Sequence, residues 1–345
     1  MDGGTMKCVL MQHGRTINRS GGMGTCCYNP TPPDQNIDYD IDQINCRTCI
    51  DQENNGVKSY RQGVNEKYGL EHNHQNIILL DITPNFNCNL ACRICNENSS
   101  SSWAKLKKIK IKSGHNLSQQ NFAQLFDNID LSDVKEINFS GGEPFLNSNI
   151  RNYINRLEDK IDFSKCILRF STNGTVKLTQ ALSKFFSGFQ LVLARFSLDD
   201  IESGHEYQRW PCSWPTWLEN WQYFLDNMPH NTMPSINRTV SLLNINRLHL
   251  LDQWHQGYAK TRFNDAIELI DHFAFDKYSL DSMTEHLKQH ILITHGADSR
   301  AWKYIVNRAT IGNINFLKDH IQKQDALQGT SLQKFDPDLY RIVFQ

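Results

Sequence analysis

Cys88, Cys92 and Cys95 lie close together in the segment NFNCNLACRICNENSSSSW. Three thiolates on one compact loop can hold three irons of a cubane and leave the fourth iron for an exogenous ligand. A fourth cysteine would close that vacancy, leaving a cube that passes electrons but offers no site for the amino and carboxylate groups of a bound molecule. Taken alone, the three thiols also suit zinc, although a structural zinc site needs a fourth protein ligand and no histidine lies inside this loop.

A second set, Cys8, Cys26, Cys46 and Cys49, precedes the first. Cys27 is the alternative to Cys26, since adjacent side chains do not ordinarily reach equivalent positions. Four thiolates satisfy a [4Fe–4S] cube that carries electrons or shapes a wall, and on spacing alone they equally suit tetrahedral zinc. Cys166, in the apolar run KCILRF, and Cys212, after Trp210 and Pro211, read as buried structural cysteines. His272, His286, His290 and His295 lack the compact spacing of a metal site.

Elements must position these groups. The first 70 residues are polar and turn-rich with little to pack around, which predicts disorder or a fold nucleated by metal, and Asp34 to Asp42 reads as an acidic loop. From about Asn76, short apolar runs alternate with helical stretches. NIILLDITP, VKEINFSGG, CILRFSTNG, LVLARFSLDD and RTVSLLNI have strand composition, with IELIDHFAF a weaker sixth. Helices are predicted at Asn147 to Leu157, Leu178 to Phe186 and Trp214 to Met228. Strand then helix, repeated, predicts a parallel sheet or barrel whose working residues sit at the carboxyl ends of the strands. Beyond Asp281 the pattern is helical, over Met283 to Leu292, Ala301 to Arg308 and Ile314 to Gln324.

The CxxxCxxC spacing resembles the signature of the radical S-adenosylmethionine superfamily, with Ile94 where an aromatic often precedes the last cysteine. Ser140, Gly141, Gly142, Glu143 and Pro144 end the VKEINF strand and resemble that family's glycine-rich cofactor motif, where backbone groups and Glu143 would receive the methionine ammonium. Ser171 and Asn173 end the next strand and Ser197 and Asp199 another; the resemblance implies contacts to ribose or to the methionine carboxylate. Arg209, in HEYQRWP, is the expected countercharge to that carboxylate, because Asp199 would repel it. Asn244 is expected near adenosine, with Asn237 and Arg238 at the same strand.

Cys8, the glycine at Gly21, Cys26 and the CRTC of Cys46 and Cys49 resemble part of the auxiliary-cluster pattern of the twitch and SPASM branches, where such segments commonly follow the barrel rather than precede it. GVKSYRQGVNEKYG, HEYQRWP, TVSLLNI and LQGTSLQKFDPDL also look like that branch. The fold implied is α/β: a partial (β/α)6 TIM-like barrel over residues 71–280, an N-terminal twitch-like auxiliary segment over 1–70, and a helical C-terminal extension over 281–345 packing on the barrel.

The resemblance implies two [4Fe–4S] clusters and S-adenosylmethionine. An external low-potential donor would reduce the first cluster, the sulfonium would be cleaved to a 5'-deoxyadenosyl radical, and the radical would abstract a substrate hydrogen. A peptide or protein is the expected substrate, on the ground that an auxiliary extension can enclose an extended segment. The alternatives are a small sugar, nucleoside or amino-acid substrate, or a zinc-binding interaction protein without radical activity. His205, Glu206 and Tyr207 are candidates to border the substrate, against a packing role.

The 345 residues suffice for one barrel-sized domain with an extension. A net charge of -1 gives no general nucleic-acid surface. No run of 18 apolar residues is present, and MDGGTMKCVLMQHG does not read as a signal peptide, so a cytoplasmic protein is expected.

Overall fold

In the computed structural model the described residues are 6–27, 29, 40–41, 44–54, 58–69, 76–110, 116–262, 267–274, 278, 280, 284–306 and 314–344. Most of the acidic segment Asp34 to Asp42 lies outside them, as does Met283 at the start of one expected helix. Eight strands form one sheet: β1 (Gly14–Ile17), β2 (Met23–Gly24), β3 (Leu79–Ile82), β4 (Glu136–Phe139), β5 (Ile167–Thr172), β6 (Leu191–Ser197), β7 (Thr232–Val240) and β8 (Glu268–Phe273). Their order is β2-β1-β3-β4-β5-β6-β7-β8. All neighbours from β1 through β8 pair in parallel, and only β2 runs antiparallel.

Period-two alternation divides the two faces of the sheet. In β6, Val192, Ala194 and Phe196 are buried in the main core, while Leu193, Arg195 and Ser197 point the other way and are half-buried. Helices cover the first face. Residues Asn149–Ile154 and Gln180–Phe186 bring Ile150, Ile154, Leu182 and Phe186 onto it, and Phe186 stacks on Phe170 of β5 with ring centroids 5.1 Å apart.

The N-terminal segment lies against the other face. Helix α1 (Tyr60–Tyr68) starts at a capping box between Ser59 and Gln62, and Val64 joins Cys8, Val9, Leu10, Met11, Ile78 and Leu79 in a small separate core. Lys67 and Tyr68 from α1, with Arg169 from β5, surround the buried carboxylate of Glu136. Helix α2 (Trp214–Asn227) presents Trp214, Trp217, Trp221 and Phe224 at helical spacing to the main core. Helix α3 (Leu248–Arg262) follows β7. Beyond β8 the chain is helical, including α4 (Ile314–Gln328), around a third core of Val240, Leu243, Leu287, Ile291, Leu317 and Ile321. No helix among the described residues is long and apolar enough to cross a membrane.

Asp81 of β3 points to the N-terminal side and is 2% exposed, with Asn138 donating to it at 3.2 Å. Burial pushes its carboxyl up to about 6 from the ordinary 3.8, against the opposing hydrogen bonds. A raised carboxyl contributes stability that is complete below the unfolded value and is lost as pH rises through the folded one. The stability difference between Asp81→Asn and the parent chain, measured by urea unfolding, should therefore shift in favour of the variant by roughly 2 kcal/mol between pH 4 and pH 7. Parallel profiles would show that Asp81 does not carry this charge into the fold.

Candidate functional site

The three-cysteine loop leaves the end of β3 and is held almost wholly through its own backbone. The serines after it do much of this. Ser100 Oγ donates to the Leu90 carbonyl, Ser101 Oγ accepts from the Cys88 N–H at 3.0 Å, and Ser102 Oγ donates to the Cys88 carbonyl at 2.8 Å. The indole of Trp103 donates to the Cys92 carbonyl at 2.8 Å. On its other side the loop pairs with the chain after β6, where Ala91 N donates to the Trp210 carbonyl at 2.7 Å and Arg93 N to the Gln208 carbonyl at 2.8 Å. With its backbone so occupied, the loop leaves its thiols free, and all three are unoxidised.

Arg93, between Cys92 and Cys95, is 1% exposed. Its guanidinium pairs with Asp325, donates to Thr330 at 2.6 Å and to the Tyr207 carbonyl at 3.1 Å, and lies 3.8 Å from the centroid of the Tyr207 ring. From the same helix, α4, Gln324 and Gln328 donate to the Arg93 and Ala91 carbonyls at 3.2 and 2.8 Å. The C-terminal region thus grips the cysteine loop from behind.

The glycine loop after β4 closes against the cysteine loop in front. Glu143 N donates to the Asn87 carbonyl at 2.7 Å. A Cβ on Gly142, whose φ is +51°, would stand 2.1 Å from that carbonyl oxygen, and one on Gly141, at φ +84°, would stand 2.4 Å from Thr83, so both positions demand glycine. The Glu143 carboxylate turns inward, fully buried, accepting from Thr172 Oγ1 and Asn173 N at 2.7 Å and from Phe145 N at 3.0 Å. Burial pushes its carboxyl up to about 6 in spite of those donors. Asn173 in turn reaches Asn89 at 3.0 Å and the Cys88 sulfur at 3.8 Å, so three strand ends meet at the thiols.

Residues 82–247 match the family described as the Radical SAM superfamily. That match covers a little under half of the chain and takes in both the cysteine loop and the glycine loop. No curated protein sequence matches the chain. Among solved structures it is similar to native anSMEcpe with bound AdoMet, at 17% identity over 74% of this chain and 67% of that one, with a TM-score of 0.44. It is also similar to Streptococcus suis SuiB bound to S-adenosylmethionine, at 14% identity over 75% of this chain and 52% of that one, with a TM-score of 0.38. The chain thus spans about half of SuiB.

A radical SAM domain implies a [4Fe–4S] cluster and S-adenosylmethionine, and the cysteine loop fits the cluster in its donor set. Burial raises all three thiols, Cys88 to about 11 and Cys92 furthest, so protons must leave when iron arrives. Arg209 acts in the opposite sense on Cys92 and Cys95, a positive charge beside the thiolates to be formed.

The structure gathers the second cysteine set as well. Cys8, Cys26, Cys46 and Cys49 line one pocket in the N-terminal segment, together with Tyr60 and Arg61. Cys27 is not among the residues that line the pocket, and its thiol lies between Cys26 and Asp81. Among the described residues no group of three or more histidine, cysteine or acidic side chains is drawn in tightly enough to grip a single metal ion.

Several expected ligands are engaged elsewhere. Arg209 is spent on Asp199 through two contacts, Nε to Oδ2 at 2.8 Å and Nη2 to Oδ1 at 3.0 Å, and Asp199 also accepts from Thr239 N at 2.7 Å. Asn244 is fully buried, donating to the Asp199 and Thr239 carbonyls at 2.9 Å. Glu143 is spent as described. Arg238 is locked to Asp271 and Asp252. His205 faces Cys212 at 3.2 Å, Glu206 accepts from Trp214 N at the start of α2, and Tyr207 stacks on Phe335. These contacts give all three a packing role behind the loop. Ser140, Ser171, Ser197 and Asn237 do keep exposed surface at their strand ends.

Sequence reading missed Arg93 and its partners on α4; a charge inside a cysteine loop was the available signal. Asp325→Ala leaves that guanidinium buried without its carboxylate and should cost about 3–5 kcal/mol. Asp319, on the same helix with a 57% exposed side chain, makes a surface pair with Lys323, and Asp319→Ala should cost under about 1 kcal/mol. Chemical denaturation of both variants checks the contrast; equal effects would show that the grip on the loop is energetically idle.

Proposed function

We propose that this chain is a radical S-adenosylmethionine enzyme that modifies a peptide or protein, with a second [4Fe–4S] cluster on Cys8, Cys26, Cys46 and Cys49. The carrying observation is the abutment of the glycine loop on the cysteine loop, Glu143 N to the Asn87 carbonyl, beside three free thiols. When bound, the cluster and its cofactor supply one-electron cleavage of the sulfonium and abstraction of a substrate hydrogen. Cys88, Cys92 and Cys95 would hold three irons and leave one open. Backbone groups at Gly141 and Gly142 would receive the methionine end, and Ser140, Ser171, Asn173 and Ser197 would orient the rest.

The four N-terminal thiols would complete a cube with no vacancy, a site for electrons rather than for S-adenosylmethionine. This supports a twitch-like reading of residues 1–70, a partial barrel over 71–280 and a C-terminal extension over 281–345. An extended substrate is supported by the polar strand ends on the face away from the main core. Ser140, Ser171, Ser197, Asn237 and His272, on five consecutive strands, all keep exposed surface there. Five strands span about 19 Å, room for about six extended residues. An external low-potential donor would supply the electron, and a reducing cytoplasm would keep the ten cysteines as thiols.

Anaerobic reconstitution should give about eight irons per chain and, on reduction with S-adenosylmethionine, 5'-deoxyadenosine. Cys46→Ala should fall to about four irons, whereas Cys88→Ala should lose the product. Product from Cys88→Ala would remove the first assignment, and unchanged iron in Cys46→Ala would remove the second.

A further inference from the structure

Most of the buried arginines are spent. Arg93, Arg209 and Arg238 each hold a carboxylate, and Arg247 holds Asp200. Arg195 differs. It lies on β6 in the middle of the sheet, on the face away from the main core, half-buried, with no hydrogen bond or ion pair among the described residues. Ser171 and Ser235 stand beside it on the adjoining strands, and the exposed Glu268 is one strand farther.

Arg169, its diagonal neighbour on β5, is only partly satisfied. One terminal nitrogen meets Glu136 at 2.9 Å, while its Nε is buried with no partner. Glu136 is itself shared with Lys67 and Tyr68, and the other buried carboxylate on this face, Asp81, stands two strands from Arg169 and accepts from Asn138. A guanidinium drawn out of water beside a second one is costly unless an anion arrives, and its planar fork suits a carboxylate. Arg195 lies two residues before Ser197 on the same face of β6, and Tyr60 of α1 is near enough to act on it electrostatically.

We propose that Arg195, assisted by Arg169, is the anchor for a carboxylate of the substrate, so that the peptide taken by this enzyme is acidic at or near the modified residue. This rests on the peptide-modifying reading above. Glu268 sits near enough to compete with a neutral ligand and yields to one that brings its own negative charge to both arginines.

The reconstituted full-length chain, with S-adenosylmethionine bound, should bind fluorescein-labelled hexaglutamate in preference to hexaglutamine by anisotropy. Arg195→Gln should weaken hexaglutamate binding about tenfold or more, and Arg195→Lys should recover part of it. Thermal unfolding reports that each variant is folded. Equal hexaglutamate affinity in the parent and Arg195→Gln overturns the proposal, as does a parent that binds hexaglutamine equally well. Loss of S-adenosylmethionine affinity in Arg195→Gln overturns it differently, by giving Arg195 to the methionine carboxylate. The binding readout is independent of turnover, so absent 5'-deoxyadenosine in the parent would count against the radical reading and leave the anion site standing.

Discussion

A guanidinium with no side-chain surface in water is the constraint around which the reactive loop is built. Arg93 sits between two of the three thiols, and its charge is tolerable only because Asp325, Thr330 and the face of Tyr207 converge on it. Those partners come from segments more than 100 residues away in the chain. The loop cannot take its shape until the chain after β6 and α4 have both docked.

The strand ends obey the same logic of buried charge. Glu143 ties the glycine loop to the end of β5, and Asp199 ties the end of β6 to Arg209 and to β7. Each carboxylate is buried and multiply bonded, so it fixes the spacing of neighbouring loops to within a hydrogen bond. What remains free at the strand ends is neutral and short: Ser140, Ser171, Ser197 and Asn237. Rigid charged braces beneath a lining of small hydroxyls and amides give a surface that can meet a ligand without rearranging.

Much of this was legible in the sequence because it is periodic. The strands after Asn76 announce themselves by apolar runs, and Trp214, Trp217, Trp221 and Phe224 by helical spacing. The start of β7 was hidden because Pro234 sits where a strand interior would not be expected, opposite Ala194. β1 and β2 were hidden for another reason. Four and two residues flanked by glycine carry no periodic signal, and they join the sheet because β3 offers them an edge. The grouping of Cys8, Cys26, Cys46 and Cys49 at one pocket followed from spacing, but the place of Cys27 between Cys26 and Asp81 did not, since only backbone geometry decides between adjacent residues.

The choice among arginines is where sequence reading reaches its physical limit. Arg209, in HEYQRWP, was the natural countercharge because Asp199 would repel a carboxylate, and in the fold Arg209 is held by Asp199 itself. Those two observations are one fact: the aspartate repels an anion, and for that reason it captures the arginine. Burial then makes the capture permanent, because separating the pair would strand two charges away from water. A strand residue two positions before the strand end has no comparable partner if its neighbours are serines. Arg195 follows that rule, standing between Ser171 and Ser235 on the face away from the main core. Whether a cation in a fold braces the structure or meets a ligand is thus set by the carboxylates within its reach, and sequence order alone does not reveal that reach.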